Sequence, residues 1–439
     1  MAFAGRLMTS ALTRQQVETL AGFLTVGETY FFREQKSFEV VRQEVLPEII
    51  RARQGRDQRL RIWSAGCCTG EEPYSIAMMV REVLPDPGSW NITILGTDIN
   101  PRFLEKASEA VYGEWSLRDT SERLREKFFV RTAGGSHQVA PEVRSMVTLQ
   151  YLNLAEDVYP SLLNGTNAMD VIFCRNVLMY FAPEQAKRVI TSLHHTLLDG
   201  GWLLVSPSEF THVHGSGFVA VSFPGAILYR KAPPGRETER GASHPDAAGK
   251  SPVPTDAHTP ASAKAPARKP PPVRRTAYED ALHHYEQGCY AEAVEELTAL
   301  LAHEAEPHAM ALLARAYADQ GKLPDALAAC DRAVSRDKLC AAYHYLRATI
   351  LHEQVAHEEA KASLKRALYL DPRFVVAHFT LANLAHAQGD MAEARRHFTN
   401  ASLLLRDFHP EDALPESDGL TAGRLAAIIA TMMQEEAPT

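Results

Sequence analysis

The sequence predicts two kinds of fold in one chain: an α/β domain with a mostly parallel sheet, followed by an all-α array of helical repeats. The α/β prediction comes from a strand, a glycine-containing turn and a helix in succession between Leu60 and Leu84. The all-α prediction comes from a repeat of about 34 residues in the last third of the chain. A length of 439 residues is enough for two or three domains, at about 150 residues each.

The strand–turn–helix unit also indicates the kind of ligand. Gly66 and Gly70 permit a tight turn and close backbone approach to a ligand in a Rossmann-like domain. A dinucleotide would place its pyrophosphate at the start of the helix, but Glu71 and Glu72 stand there and would repel it. A ligand without phosphate and with a positive charge, such as S-adenosylmethionine, fits better. The alternative is a structural turn with two solvated glutamates that stabilise the helix dipole.

The composition argues against several classes of protein. A net charge of −8 does not favour a general nucleic-acid binder. No apolar run reaches the ~20 residues of a membrane span, and the first 20 residues lack the apolar core of a signal peptide. The six cysteines have no C-x-x-C spacing, so neither disulfides nor a zinc site is expected. We therefore expect a cytoplasmic chain with no metal and no direct membrane insertion.

The chain begins with a short helical segment over residues 1–24. It is followed by Glu28-Thr-Tyr-Phe-Phe-Arg33, in which three aromatic residues precede an arginine. One interpretation is a core plug with a surface arginine. The other is a lid over a ligand, with Arg33 directed at an acidic substrate.

Four predicted strands end in polar or glycine residues, near positions 66, 98, 153 and 175. Ligands of such sheets bind at the carboxyl ends of the strands, so these ends should converge on one crevice. Asp98 would bind ribose hydroxyls, or else cap the next helix. Further along, a helix over 184–198 should stop at Gly200-Gly201, before a fifth strand at 202–205 and a hairpin at 219–230. A small subdomain is expected over about 111–145, around a hairpin at Gly134-Gly135.

Residues 25–231 resemble the chemotaxis-receptor glutamate methyltransferases, the CheR family. The resemblance depends on Glu28-Thr-Tyr-Phe-Phe-Arg33, Gly70-Glu-Glu-Pro-Tyr-Ser75, Thr97-Asp98, Asn153-Leu154 and Cys174-Arg-Asn-Val-Leu-Met-Tyr-Phe181. It implies a Rossmann-like S-adenosylmethionine-dependent methyltransferase domain with S-adenosylhomocysteine as product, and a small β-subdomain. The cofactor contacts that it implies are Thr29, Arg33, Glu72, Asp98, Asn153, Leu154, Arg175 and Asn176.

The sequence departs from this family in three places. Gly27 stands where the family often has asparagine, which removes one side-chain contact to the cofactor. Only about 25 residues precede the Arg33 motif, whereas the family usually has a longer N-terminal helical domain. The 111–145 hairpin is short for the version that docks on a receptor's C-terminal pentapeptide, so we expect pentapeptide-independent behaviour.

The implied reaction makes modest demands on the protein. A glutamate carboxylate is ionised at pH 7 and needs no general base, so the enzyme's main task is to position it. Arg33 is the candidate cation for that task, and Tyr180 is the candidate hydroxyl on the other side. The alternative for Tyr180 is core packing beside Phe181. Cys67 and Cys68 are interpreted as small packing residues.

The second half begins with a Pro/Ala-rich linker over residues 232–275. Alanines then recur every 34 residues, at 326, 360 and 394 and again at 333, 367 and 401. A period of 34 residues is typical of tetratricopeptide repeats. We assign repeats to 276–306, 307–338, 339–372 and 373–406, and a tail over 407–439 whose amphipathic segment Leu420 to Met433 caps the array. Such arrays usually bind a protein or peptide along a concave face. The alternative is a structural or dimerising role.

The sequence therefore predicts a protein-glutamate O-methyltransferase that acts on the cytoplasmic part of a methyl-accepting chemotaxis receptor. Its tetratricopeptide repeats would bind a protein partner, and no nucleic acid is involved. Two alternatives remain: a weakly active or inactive scaffold that works through its repeats, and methylation of a small carboxylic acid. The scaffold is favoured by Gly27 and the short N-terminus, and disfavoured by Glu72, Asp98 and Asn153.

Overall fold

A computed structural model describes residues 14–25, 27–84, 86–156, 158–213, 215–232, 276–303, 305–417 and 419–435. The predicted linker at 232–275 lies outside these ranges except for position 232, and so does the chain before Arg14. The fold class agrees with the prediction: a mixed α/β domain is followed by a helical repeat region.

The first domain is built on a seven-stranded sheet. Its elements in chain order are α1 Arg14–Leu24, α2 Gln35–Val40, α3 Leu46–Arg53, β1 Arg59–Ala65, α4 Glu71–Val83, β2 Asn91–Asp98, α5 Pro101–Glu109, β3 Val111–Tyr112, α6 Glu122–Phe128, β4 Phe129–Arg131, β5 His137–Val139, α7 Pro141–Arg144, β6 Val147–Tyr151, β7 Met169–Phe173, α8 Pro183–Thr196, β8 Leu197–Leu204, α9 Phe210–Val213, β9 Phe218–Phe223 and β10 Ala226–Lys231.

The strand order of the sheet is β6-β2-β1-β7-β8-β10-β9. The first five of these strands are parallel, and β10 and β9 complete the sheet as an antiparallel hairpin. Every residue of β1 is buried, because helices cover both faces of the sheet at its centre. The chain connects in opposite directions on the two sides of β1, which opens a crevice at the carboxyl ends of β1 and β7.

Two details differ from the sequence prediction. Gly200 and Gly201 lie inside β8, which begins at Leu197, so the helix before them ends because the chain becomes extended there. Gly201 is closely surrounded: an added Cβ would lie 2.8 Å from the backbone oxygen of Leu198. The sequence of residues 38–50 also predicts one continuous helix, but a π-helical turn at Val41–Val45 interrupts it.

The small subdomain is a three-stranded antiparallel sheet with the order β3-β5-β4. β4 and β5 form the hairpin expected around Gly134-Gly135, with Val130 opposite Gln138. The subdomain packs on the main domain through Phe31, whose ring makes edge-to-face contacts with Tyr112 and Phe129. The aromatic segment before Arg33 therefore joins the subdomain to the core.

The repeat region consists of four helix pairs and a further helix. The pairs are α10 Ala277–Glu286 with α11 Tyr290–Leu301, α12 Pro307–Asp319 with α13 Leu323–Arg336, α14 Ala341–Glu353 with α15 His357–Leu370, and α16 Val375–Ala387 with α17 Met391–Leu404; the further helix is α18 Ala422–Glu435. The repeated alanines, such as Ala326, Ala360 and Ala394, are fully buried where paired helices approach closely. α18 packs against α17 at the end of the array, as expected for a capping helix.

The repeat region also contacts the α/β domain. Arg61 at the start of β1 forms a buried ion pair with Glu353 of α14, and Asn91 donates a hydrogen bond to the backbone oxygen of Glu353. No helix in the described ranges is long and apolar enough to cross a membrane.

Candidate active site

A cavity of about 350 Å³ opens at the carboxyl ends of β1, β2, β6 and β7. It is the crevice expected from the sheet topology. Its lining includes all ten residues that the sequence singled out: Thr29, Arg33, Gly66, Glu72, Asp98, Asn153, Leu154, Arg175, Asn176 and Tyr180. The structure thus brings together residues from distant parts of the first domain, although their contact with a cofactor stays a prediction.

The two glutamates at the start of α4 have different surroundings. Glu72 lines the cavity, where its carboxylate accepts a hydrogen bond from Ser64 at 2.7 Å and pairs with Arg175 at 2.7 Å. Glu71 is buried and accepts hydrogen bonds from Thr69 and Ser116 instead. The interpretation that both carboxylates face the ligand is therefore wrong for Glu71, which attaches the turn to the subdomain.

Arg175 is the hub of the charged part of the site. Besides its pair with Glu72, Arg175 donates to the backbone oxygen of Arg33 at 2.7 Å and lies 3.5 Å from the carboxylate of Glu34. Burial raises the pKa of Glu34 above its usual value, and the nearby Arg175 opposes that shift. These contacts fix the Arg33 backbone, which lies between two residues with left-handed backbone conformations, Phe32 and Glu34. Such conformations are costly and persist where surrounding contacts impose them.

The side chain of Arg33 reaches the cavity from the segment that precedes α2. Its Nη1 donates to the backbone oxygen of Glu28 at 2.7 Å, and its guanidinium lies 5.9 Å from the ring centre of Tyr30. The three aromatic residues beside it serve different purposes. Phe31 is fully buried, whereas Tyr30 and Phe32 are only partly covered. The segment is therefore both a core plug and a wall of the cavity.

Asp98 ends β2 and orients the turn after β1. Its two carboxylate oxygens accept hydrogen bonds from the backbone N–H groups of Cys68 and Asn100, both at 2.8 Å. The cap of α5 is Asn100, whose side chain accepts from the N–H of Arg102, so Asp98 is not that cap. Burial raises the pKa of Asp98, while the backbone donors act in the opposite direction.

Gly66 lies against the segment that follows β7. It has a φ of +84°, and an added Cβ would lie 2.4 Å from a methyl group of Val177. Only glycine fits there, because any other side chain would be strained at this φ and would collide with Val177. Asn176, the residue before Val177, also has a left-handed backbone, with φ of 59°.

Glu209 holds the Asn176 segment in place, and the sequence analysis did not identify it. This carboxylate is fully buried and accepts from the N–H groups of Asn176 and Val177 at 2.8 and 2.7 Å. It also accepts from the hydroxyl and N–H of Ser206 in a capping box. The sequence Ser206-Pro-Ser-Glu209 has the spacing of that motif and could have predicted the local turn, but not the contact with Asn176.

Phe103 accounts for the unusual Gly27. An added Cβ at Gly27 would lie 2.8 Å from the ring of Phe103, which also lines the cavity. The space that a larger side chain would need at position 27 is thus filled by an aromatic ring. Phe103, Ile99 and Leu154 give this part of the cavity an apolar surface suited to a flat heterocyclic base.

Tyr180 lies at the outer edge of the cavity with 64% of its surface exposed. Core packing, the alternative interpretation for this residue, is therefore wrong. Burial raises the pKa of Cys68 to about 12 and that of Cys67 well above its usual value, which disfavours either thiol as a nucleophile.

The arrangement fits S-adenosylmethionine in its polar and apolar groups. A buried carboxylate ends β2 where ribose hydroxyls bind in this fold, the wall around Phe103 is apolar, and Glu72 supplies a carboxylate beside the turn. The comparisons with known proteins agree. The family described as "CheR methyltransferase, SAM binding domain" matches residues 27–222, and a tetratricopeptide family matches 278–338 and 312–373. The chain belongs to the CheR methyltransferase family, its cofactor is S-adenosylmethionine, and it carries C-terminal tetratricopeptide repeats.

Three relatives show how far the similarity extends. The chain is 31% identical to the "Probable biofilm formation methyltransferase WspC" of Pseudomonas aeruginosa, across 87% of this chain and 84% of that protein. It is 34% identical to "Chemotaxis protein methyltransferase 2" of Vibrio cholerae, across 52% of this chain and 77% of the relative. It is 36% identical to "Chemotaxis protein methyltransferase 1" of P. aeruginosa, across 48% of this chain and 77% of the relative. The match to WspC extends through the repeats, whereas the other two cover about half of this chain.

Proposed function

We propose that this protein is a cytoplasmic protein-glutamate O-methyltransferase that modifies the cytoplasmic part of a chemoreceptor. Its repeat domain would bind a protein partner. The observation that carries the proposal is the convergence of nine family-motif residues on one cavity, among them an arginine, Arg33, and an exposed tyrosine, Tyr180. The names of the relatives, several of which are chemotaxis methyltransferases, support the choice of substrate.

The residues divide into those that hold the cofactor and those that meet the substrate. Asp98, Asn153 and Leu154 would hold the adenosine part, with Gly66 allowing close approach of the backbone. Glu72, Arg175, Asn176 and Thr29 would hold the amino-acid part. When bound, S-adenosylmethionine supplies a methyl group on a positively charged sulfur, which a carboxylate can accept without a general base.

Positioning of the substrate carboxylate falls to Arg33 and Tyr180. The guanidinium of Arg33 can donate a charge-assisted hydrogen bond to a carboxylate, and Tyr180, which also lines the cavity, is 64% exposed and can offer its hydroxyl. Because Tyr180 lines the cavity and is largely exposed, the cavity is open to solvent at this residue. Such an opening suits a glutamate side chain on a protein surface better than a small acid, for which a closed pocket is expected.

The test is transfer of labelled methyl groups from S-adenosylmethionine to purified cytoplasmic fragments of the source organism's chemoreceptors. The wild-type chain should produce label that base releases as methanol, the signature of a carboxyl ester. Arg33→Ala should reduce kcat/KM by about 10- to 100-fold, because a hydrogen bond to a charged group contributes about 1.5–3 kcal/mol. Its circular dichroism should match that of the wild type.

Arg42→Ala is the matched control, since Arg42 is exposed and does not line the cavity. Base-stable label would contradict ester formation. Wild-type turnover by Arg33→Ala would remove Arg33 from the reaction. A chain that binds S-adenosylhomocysteine but labels none of the receptor fragments would favour the scaffold alternative.

A further inference from the structure

The connection between β6 and β7 is unusual for a parallel sheet. Such connections generally contain a helix that covers the sheet, but residues 152–168 contain none in their described part. The loop starts at the cofactor cavity, which Leu152, Asn153 and Leu154 line, and ends at the opposite edge of the sheet. Without a helix of its own, the connection needs another part of the chain to cover its apolar residues Leu162 and Leu163.

The repeat domain provides that cover. Leu162 packs with the apolar cluster of the first repeats, and Leu163 packs with the cluster of the last repeats. At the same place Arg61 donates to the backbone oxygen of Gly165 at 2.6 Å while pairing with Glu353 of α14. The tip of the loop is thus held between the sheet and the helices of the repeat domain.

α16 shows how completely this region is closed. Ten of its thirteen residues are buried, Val375 to Ala382 without interruption, so no side of that stretch faces solvent. The residues that pack in the same cluster include Leu163 of the loop and Leu414, Leu425 and Ile429 of the tail. A helix that is apolar all round requires cover on all sides, and here the chain's own loop and tail supply it.

A second contact reaches the cofactor site directly. Arg424 of α18 is 7% exposed; its Nη1 donates to Oε2 of Glu156 at 2.5 Å, and its guanidinium lies 5.8 Å from the ring centre of Tyr151. The other oxygen of Glu156 accepts from the side-chain amide of Asn153 at 3.0 Å. One carboxylate therefore joins the C-terminal helix to a residue of the cofactor cavity.

We propose that the repeat domain positions the cofactor-binding loop within the same chain, with Glu156 as the positioning residue between Arg424 and Asn153. The amide oxygen of Asn153 accepts from the N–H of Ala155 at 3.0 Å, while its amide nitrogen is held by Glu156, which Arg424 holds in turn. Affinity for S-adenosylmethionine accordingly depends on a side chain that lies 268 positions beyond Glu156 in the sequence. This inference rests on the predicted contact of Asn153 with the cofactor.

The experiment measures the Kd of S-adenosylhomocysteine by calorimetry on full-length wild type, Arg424→Gln, Glu156→Gln and the double variant. Each single variant should bind about tenfold more weakly. Because both act through one link, the double variant should bind no more weakly than the worse single variant. The matched control is Arg373→Gln, which removes an exposed ion pair with Asp407 in the same region; such pairs contribute little, so its Kd should equal that of the wild type.

A second measurement separates positioning from general stability. In the single variants the KM for S-adenosylmethionine should rise while kcat at saturation stays within twofold, and the amides of residues 155–166 should exchange hydrogen faster than in Arg373→Gln. If Arg424→Gln does not fold, Arg424→Lys, which keeps the cation, should show a smaller rise in Kd. Unchanged Kd values in both single variants, with wild-type binding intact, would overturn the inference alone. No binding by the wild type would overturn the proposed function as well.

Discussion

Asp98 shows how one side chain can organise a site while also lining it. Its carboxylate fixes the N–H groups of Cys68 and Asn100 and stays at the cavity wall. A carboxylate at the end of the second strand is what the fold predicts for ribose binding. Its bonds to the turn after β1 were not foreseeable from the sequence, because they depend on the turn folding back toward β2.

Asp98→Ala should weaken binding of S-adenosylhomocysteine by about 10- to 100-fold, since it removes a charged acceptor and leaves two backbone donors without partners. Calorimetric titration measures this directly. Asp86→Ala, in an exposed loop, is the control and should bind as the wild type does. Because burial raises the pKa of Asp98, wild-type affinity should start to fall at a higher pH than it would with an exposed aspartate. Equal affinity for Asp98→Ala would exclude the ribose role.

At the scale of the element, the sequence predicted most strands of the α/β domain and the helix pairs of the repeats. Apolar periodicity and glycines at turns are local signals, so they can be recognised without the structure. It also identified residues that line one cavity, since strand ends of a parallel sheet converge. It placed Glu71 and Glu72 together at the start of the ligand-binding helix, but only Glu72 lines the cavity, because adjacent helical residues point in different directions. It missed Glu209, whose partners Asn176 and Val177 lie in a separate segment of the chain. The apolar sequence of α16 was an available signal that the inner surface of the array is covered.

The fourth repeat contains a buried pair of histidines between α16 and α17. Nδ1 of His378 lies 2.8 Å from Nδ1 of His397, and Nε2 of His378 lies 3.1 Å from the backbone oxygen of Pro372. Burial lowers the pKa of both, that of His397 to about 4 with help from His378 and Arg396. Lys365 lowers the pKa of His397 further, and Glu393 opposes it.

This pair should make the array sensitive to acid. In the unfolded chain both histidines titrate near a pKa of about 6.5, so below that pH the unfolded state binds more protons and stability falls as the pH drops toward 4. Thermal unfolding between pH 8 and 4.5 measures the effect. His397→Gln should lose less stability over that interval than the wild type, while His303→Gln, an exposed histidine, should follow the wild type. If stability falls equally with pH in all three chains, the pKa values of the pair do not differ between the folded and unfolded states.

At the scale of the whole molecule, the two domains are joined by a buried ion pair. The side chains of Arg61 and Glu353 are 4% and 7% exposed, and Arg61 also bonds Gly165. Removing one partner of such a pair leaves the other charge buried, which costs about 3–5 kcal/mol. Glu353→Leu should therefore lower the urea midpoint of unfolding markedly.

A second substitution makes this prediction specific to the pair. Arg61→Met combined with Glu353→Leu should lose less stability than Glu353→Leu alone, because no charge remains buried. Glu359→Leu, at an exposed position of α15, should change the midpoint little. A double variant less stable than Glu353→Leu alone would show that Arg61 stabilises the interface mainly through other contacts.

The connection between β6 and β7, which has no helix in its described part, has a consequence for biosynthesis. Leu163 leaves the ribosome long before Ile429, one of the tail residues in the cluster against which Leu163 packs. At typical rates of translation, synthesis of the intervening chain takes on the order of tens of seconds. The last strand of the sheet ends at Lys231, so for most of that time the sheet can be complete while the apolar loop around Leu163 has no cover. The nascent chain therefore presents a hydrophobic segment, next to its future cofactor site, for longer than a self-sufficient α/β domain would, and this interval is when a chaperone would have most to protect.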